Sequence, residues 1–247
     1  MIKIMKSTRI SIFLSVSLLW SLLWFSQKHL ISSYFGTIQP VAFILLGLIP
    51  TFGLLIGGFT MRNKLSHVSI TIKGRQPILS LIIFCIPIIC LSIIGVDNNF
   101  NIQPNLFGAL IGTFTLLYAT LEEYGWRGYL QQEFMNSSQK WFGYMFIGLV
   151  WYIWHWYFLR SSHNPKLIMI PILIISSIGI GEVARITRSI LICGALHGLV
   201  NILFIYSIVS KSLSDLEKII ILFICISIWI PLIIRIGNKK QKTTTNM

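Results

Sequence analysis

Eight apolar runs separated by short polar links occupy most of this 247-residue chain, and that pattern commits it to helices embedded in a membrane. A span needs about 20 mostly apolar residues to cross roughly 30 Å of hydrocarbon. The runs are Ile10 to Ser26, Val41 to Thr60, Pro77 to Ile94, Leu106 to Leu121, Phe142 to Leu159, Leu167 to Ile180, Ile190 to Ser210 and Leu216 to Ile236. No link between them is long enough to build a water-facing core, which excludes a soluble two-domain enzyme. Charged residues make up 11% of the chain and mean hydropathy is +0.78, whereas a soluble domain carries roughly 25% charged residues. The expected fold is all-α, a polytopic bundle of about eight transmembrane helices with an intramembrane polar cavity, forming one domain over residues 1–247. Pro50, Pro87 and Pro171 are expected inside spans, where neighbouring helices can satisfy the freed carbonyls. Lys3, Lys6 and Arg9 precede the first run as in a signal peptide, but the following FSQKHLISSYFG offers no A-x-A-like site, so an uncleaved span is expected.

The net charge of +13 is explained by topology. Fifteen basic residues fall on one side: Lys3, Lys6, Arg9, Arg62, Lys64, Lys73, Arg75, Arg127, Lys140, Arg185, Arg188, Arg235, Lys239, Lys240 and Lys242. Five fall on the other: Lys28, Arg160, Lys166, Lys211 and Lys218. That imbalance places both termini in the cytoplasm and makes anionic lipid, not nucleic acid, the expected partner. Cys85, Cys90, Cys193 and Cys225 lie in apolar runs without metal-finger spacing and are expected to be buried free thiols. No internal repeat is present, which counts against transporters built from duplicated halves.

Most ionisable residues suit a solvated surface. Asp97, Asp215 and Glu217 are placed in loops, Glu133 and Glu182 at interfaces, and His29, His67 and His163 in loops. Three clusters fall in or beside spans, where polar groups are costly. In Glu122-Glu123-Tyr124-Gly125-Trp126-Arg127, a continuing helix sets Glu123 and Arg127 at i, i+4 for an ion pair. Glu122 then points about 100° away with no local partner, and desolvation would raise its pKa toward that of a general base. A plain interfacial charge cluster fits this segment equally well. In Trp151-Tyr152-Ile153-Trp154-His155, an aromatic surround holds one intramembrane histidine, with Trp151 one turn earlier on the same face. His197 and Asn201 share a face of the seventh run, while Gly194 and Gly198 form a small-xxx-small pattern for close helix approach. Either histidine could equally serve only to hydrogen-bond a neighbouring helix. Together, a carboxylate, two imidazoles and an amide on three apolar helices call for a common polar cavity, which suits a hydrolase or an ion path.

At these segments the sequence resembles the CPBP family of intramembrane proteases, which includes the CaaX prenyl endopeptidases of the Rce type and the bacteriocin-processing and immunity proteins called Abi. The family motifs EExxxR, FxxxH and HxxxN appear as Glu122-Glu123 with Arg127, Trp151 with His155, and His197 with Asn201, within a core of about 120–201. Trp151 stands where the pattern has Phe. The resemblance implies an endopeptidase cleaving a small membrane-associated peptide or protein, with a cavity open to the cytoplasm. By position, Glu122 would activate water, His155 would help hold it, and His197 and Asn201 would stabilise the oxyanion. Glu123 and Arg127 would support and orient. In a zinc-dependent alternative Glu122, His155 and His197 are the candidate ligands; the metal-free glutamate mechanism is preferred because Asn201 is a poor zinc ligand. A non-catalytic immunity or regulatory binding protein is the second reading, and a proton-coupled transporter the third.

Depth poses a difficulty. Glu122 would lie about 24 Å from the outer start of its span, but His155 about 20 Å from the inner start of its own, so straight upright helices would hold them apart. Tilt, or an interfacial segment at Arg127 to Lys140, is expected to close the gap.

Overall fold

The computed structural model describes residues 2–35, 48–65, 67–135, 139–160, 167–205 and 207–244. The beginning of the second expected span, His163 and Lys166 lie outside them, as do the side chains of Lys28, His29 and Arg160. Among the described residues the chain is helical, without a β-strand. Helix α1 runs over Ile2–Phe35, α2 over Phe52–Arg62 behind a short 3-10 turn at Ile49–Thr51, α3 over Pro77–Ile94 and α4 over Pro104–Gly125. A π turn at Trp126–Leu130 carries α4 into α5, Gln131–Met135. Then come α6, Lys140–Arg160, α7, Met169–Thr187, and α8, Ile190–Val200, which passes through a second π turn at Asn201–Ile205 to α9, Ser207–Ser212. Helix α10, Asp215–Thr244, is last. The expected spans are helical over nearly all of their described residues, although the sixth begins at Met169, not Leu167. Among the described residues, five helical segments are long and apolar enough to cross a membrane: Lys6–Trp24, Pro77–Ile94, Pro104–Met135, Met169–Thr187 and Asp215–Asn238. The protein is an all-α, multi-pass membrane protein.

Helix ends follow local chemistry. Pro77 opens α3, where its missing N–H costs nothing, and Gly95 closes it at φ +84° with its N–H on Leu91 O at 2.9 Å. Ser189 caps α8 by accepting the N–H of Ile192. Asp215 and Glu217, expected in a loop, instead occupy the first turn of α10, where carboxylates meet the positive end of the helix dipole. Pro171 lies in the first turn of α7, not its interior, so it removes no helical hydrogen bond there.

The chain divides into two compact units, each made of two sequence segments. One comprises Met1–Ser69 and Leu121–Glu182. Here α2 meets the end of α4 almost backbone to backbone: a side chain at Gly58 would fall 3.1 Å from Gly125 Cα, and one at Gly125 would fall 2.9 Å from Leu54 O. Phe13 of α1 packs on Trp126 and Tyr129, with ring centroids 5.9 and 4.9 Å away. The other unit comprises Ile70–Thr120 and Val183–Met247. In it α8 lies against α4 through Gly194 and Gly198, as their spacing led one to expect: a Cβ at Gly194 would stand 2.9 Å from Thr120 Cα, and one at Gly198 would strike Leu116 Cδ2. Of the cysteines, all unpaired in disulfides, Cys90, Cys193 and Cys225 are buried and Cys85 is half-buried.

Candidate active site

In the first unit, α4 delivers Glu122 and Glu123 to its C-terminal end, both with no solvent exposure. The helix then widens. The N–H of Gln131 reaches back five residues to Trp126 O, and the added residue per turn rotates the downstream side chains relative to a regular helix. Arg127 lies on the first residues of this π turn and still meets Glu123, Nε to Oε2 at 3.1 Å, forming the expected i, i+4 pair. Both partners are fully buried, so the pair holds mutually compensated charge in a low-dielectric interior. The guanidinium also stands 5.6 Å from the ring of Trp151.

Glu122 takes a different partner. Its Oε2 accepts a hydrogen bond from Trp151 Nε1 at 3.2 Å, and its Oε1 accepts none from the described residues. The carboxylate is thus held by one oxygen. Trp151 sits one helical turn before His155 on α6, about 6 Å along the axis. Its ring centroid is 5.9 Å from the imidazole, and that of Trp154 is 4.9 Å away. His155 Nδ1 lies 2.9 Å from Trp151 O. A carbonyl can only accept, so Nδ1 is the donor in this bond.

The α6 motif reaches Glu122 through Trp151, whose indole N–H lies within hydrogen-bond distance of the carboxylate. Within the segment from Arg127 to Lys140, Arg127, Gln131, Gln132 and Glu133 are buried in the protein. Glu133, expected on the surface, accepts from Arg9 Nε at 2.8 Å, from Arg9 Nη2 at 3.0 Å and from Tyr129 Oη at 3.1 Å. A first-span arginine explains how a carboxylate can be buried there. Glu182 is half-buried between Lys140 Nζ and Tyr144 Oη.

In the second unit, α8 carries His197, buried with its ring centroid 6.4 Å from that of Tyr118, edge to face. Asn201, also buried, begins the second π turn. Two of the three motif-bearing helices, α4 and α8, thus change from α to π geometry just after or at a motif residue. Sequence reasoning did not find these turns, nor the roles of Tyr118 and of the Trp151 indole N–H. The only signal was the density of glycine and aromatic residues around them. Among the described residues, no three His, Cys, Asp or Glu side chains gather as a metal site requires.

Residues 104–203 match the family model of the Rce1-like type II CAAX prenyl endopeptidases. That stretch includes Glu122, Glu123, Arg127, Trp151, His155, His197 and Asn201. No curated protein matches the chain.

Proposed function

We propose that the protein is an intramembrane endopeptidase that hydrolyses a peptide bond in a small membrane-associated peptide or protein, with Glu122 as the base, a reading supported by the match of residues 104–203 to the Rce1-like family model. The observation that carries this reading is the buried Glu122 carboxylate, one oxygen fastened by Trp151 and the other accepting no hydrogen bond from the described residues. In this mechanism Glu122 Oε1 takes a proton from water as the oxygen adds to the scissile carbonyl. His155 helps hold that water through Nε2. His197 and Asn201 donate to the oxyanion of the tetrahedral intermediate. Its collapse breaks the C–N bond, and the proton on Glu122 passes to the leaving amine. Glu123 and Arg127 keep the end of α4 in place by neutralising each other, leaving Glu122 as the reactive carboxylate.

The carboxylate carries the proposed chemistry, and zinc held by Glu122, His155 and His197 is the alternative that the test below separates from it. The whole chain acts as one protease, with both termini in the cytoplasm and the active-site cavity opening there. Its partners are membrane lipids and the peptide substrate, and a prenylated CaaX protein, a bacteriocin and a signalling peptide are the substrate classes to test.

The test uses membranes holding either wild type or Glu122→Ala at equal level, offered prenylated and unprenylated membrane-anchored peptides, with peptide mass followed with and without a zinc chelator. Cleavage lost in Glu122→Ala and retained under chelation supports the reading. Cleavage persisting in Glu122→Ala removes the base, and loss under chelation replaces the glutamate mechanism with a metal one.

A further inference from the structure

In the second unit α3 and α10 pack side by side and antiparallel. Just beyond the end of α3, Asp97 N–H donates to Ser212 Oγ at 2.7 Å, shortly before α10 begins. Deeper along the same seam, Trp229 Nε1 of α10 donates to Ile83 O of α3 at 3.1 Å, with both residues buried. Sequence explains why that carbonyl takes an indole. Pro87 lies inside α3 four residues after Ile83 and has no N–H to give it, and a buried carbonyl without a donor is costly.

This bond sets the register of the seam. Cys90 follows Ile83 by seven residues, which is two turns and nearly the same face of α3. Cys225 precedes Trp229 by four, one turn back on the same face of α10. Because the helices are antiparallel, both steps lead the same way along the seam, and they bring two thiols together: the side chains of Cys90 and Cys225 are hydrogen-bonded to each other. The other two cysteines are directed elsewhere. Cys193 Sγ donates to Ser189 O at 3.1 Å, and Cys85 stands about 140° round α3 from Cys90.

Thiols in contact across two packed helices are the starting geometry for a disulfide. The seam borders lipid, since Ile89 and Ile93 beside Cys90 are exposed, as are Phe223 and Ile226 beside Cys225. Cys90 retains 7% exposure and Cys225 none, so Cys90 is the sulfur that a reagent dissolved in the hydrocarbon meets first.

We propose that Cys90 and Cys225 are a redox-active pair, joined reversibly into an α3–α10 disulfide by a lipid-soluble quinone. Both S–H bonds break and one S–S bond forms, while two electrons and two protons pass to the quinone, which leaves as the quinol. A dithiol reverses the step by thiol–disulfide exchange and is itself oxidised to a disulfide. The link closes a loop from residue 90 to residue 225, which encloses every motif residue and the whole matched stretch 104–203. Oxidation therefore staples the two ends of that stretch and restricts its unfolded chain. The pair uses no motif residue and stands whatever the substrate.

The test uses the reduced full-length protein in phosphatidylcholine nanodiscs, treated with decylubiquinone or with diamide, a neutral thiol oxidant. Thiols that survive are alkylated after denaturation, and linked peptides are mapped by mass. Alkylation should fall from four thiols to two, with a Cys90–Cys225 peptide lighter by two hydrogens, and dithiothreitol should restore all four. The thermal unfolding midpoint should rise on oxidation and return on reduction, and Cys90→Ser and Cys225→Ser should each abolish both effects. The mapping needs wild type alone, so a variant that fails to fold does not decide the result. Four surviving thiols under both oxidants, or a link through Cys85 or Cys193, overturns the pair. Linkage by diamide but not by decylubiquinone overturns the quinone as oxidant, and an unchanged midpoint in the linked protein overturns the staple.

Discussion

Trp151 Nε1 donates to Glu122 Oε2 at 3.2 Å, joining two helices through the one intramembrane carboxylate of the motif that has no arginine partner. The bond engages Oε2 and leaves Oε1 without a hydrogen bond from the described residues. It also shows that the Trp at a position where the family pattern has Phe supplies more than an aromatic wall.

Trp151→Phe keeps the wall and deletes the donor. A hydrogen bond to a charged acceptor contributes about 1.5–3 kcal/mol, so kcat should fall about tenfold or more with KM unchanged. Steady-state peptide cleavage measures this. Unaltered kcat would show that the bond does not position the carboxylate.

Glu123→Gln leaves the fully buried Arg127 guanidinium without its counter-charge and should cost about 3–5 kcal/mol of stability. Glu123→Gln combined with Arg127→Gln removes both charges and should recover part of that loss. Thermal unfolding in detergent compares them, and a double variant no more stable than the single would contradict the compensation.

Gly194→Ala would place a methyl 2.9 Å from Thr120 Cα, and Gly198→Ala would drive one into Leu116. Each should destabilise by about 1–3 kcal/mol through overpacking. Gly179→Ala is the control: nothing lies within 4 Å of its Cβ position, so it should be neutral or stabilise α7 by about 0.5–1 kcal/mol. Equal melting temperatures for all three would refute the close crossing of α8 with α4.

The Glu123–Arg127 pair was legible because a helix sets i and i+4 on one face, and the Gly194–Gly198 stripe because small residues at that spacing permit approach. Glu133 was misread as a surface residue. Its partner, Arg9, is 124 positions away, and no local pattern relates the two. The contact between Glu122 and Trp151 was illegible for a similar reason: it is set by packing between helices 29 positions apart in the chain.

Hydropathy and helical spacing are properties of neighbouring residues. The sequence alone therefore determined that the chain is a helical membrane protein, where most of its spans lie, and which seven residues form the motifs. Tertiary structure decided that Trp151 holds Glu122, that α4 and α8 pass into π turns, and that Arg9 neutralises Glu133. Each of these depends on which helix faces which, a choice made by close packing between residues far apart in the chain.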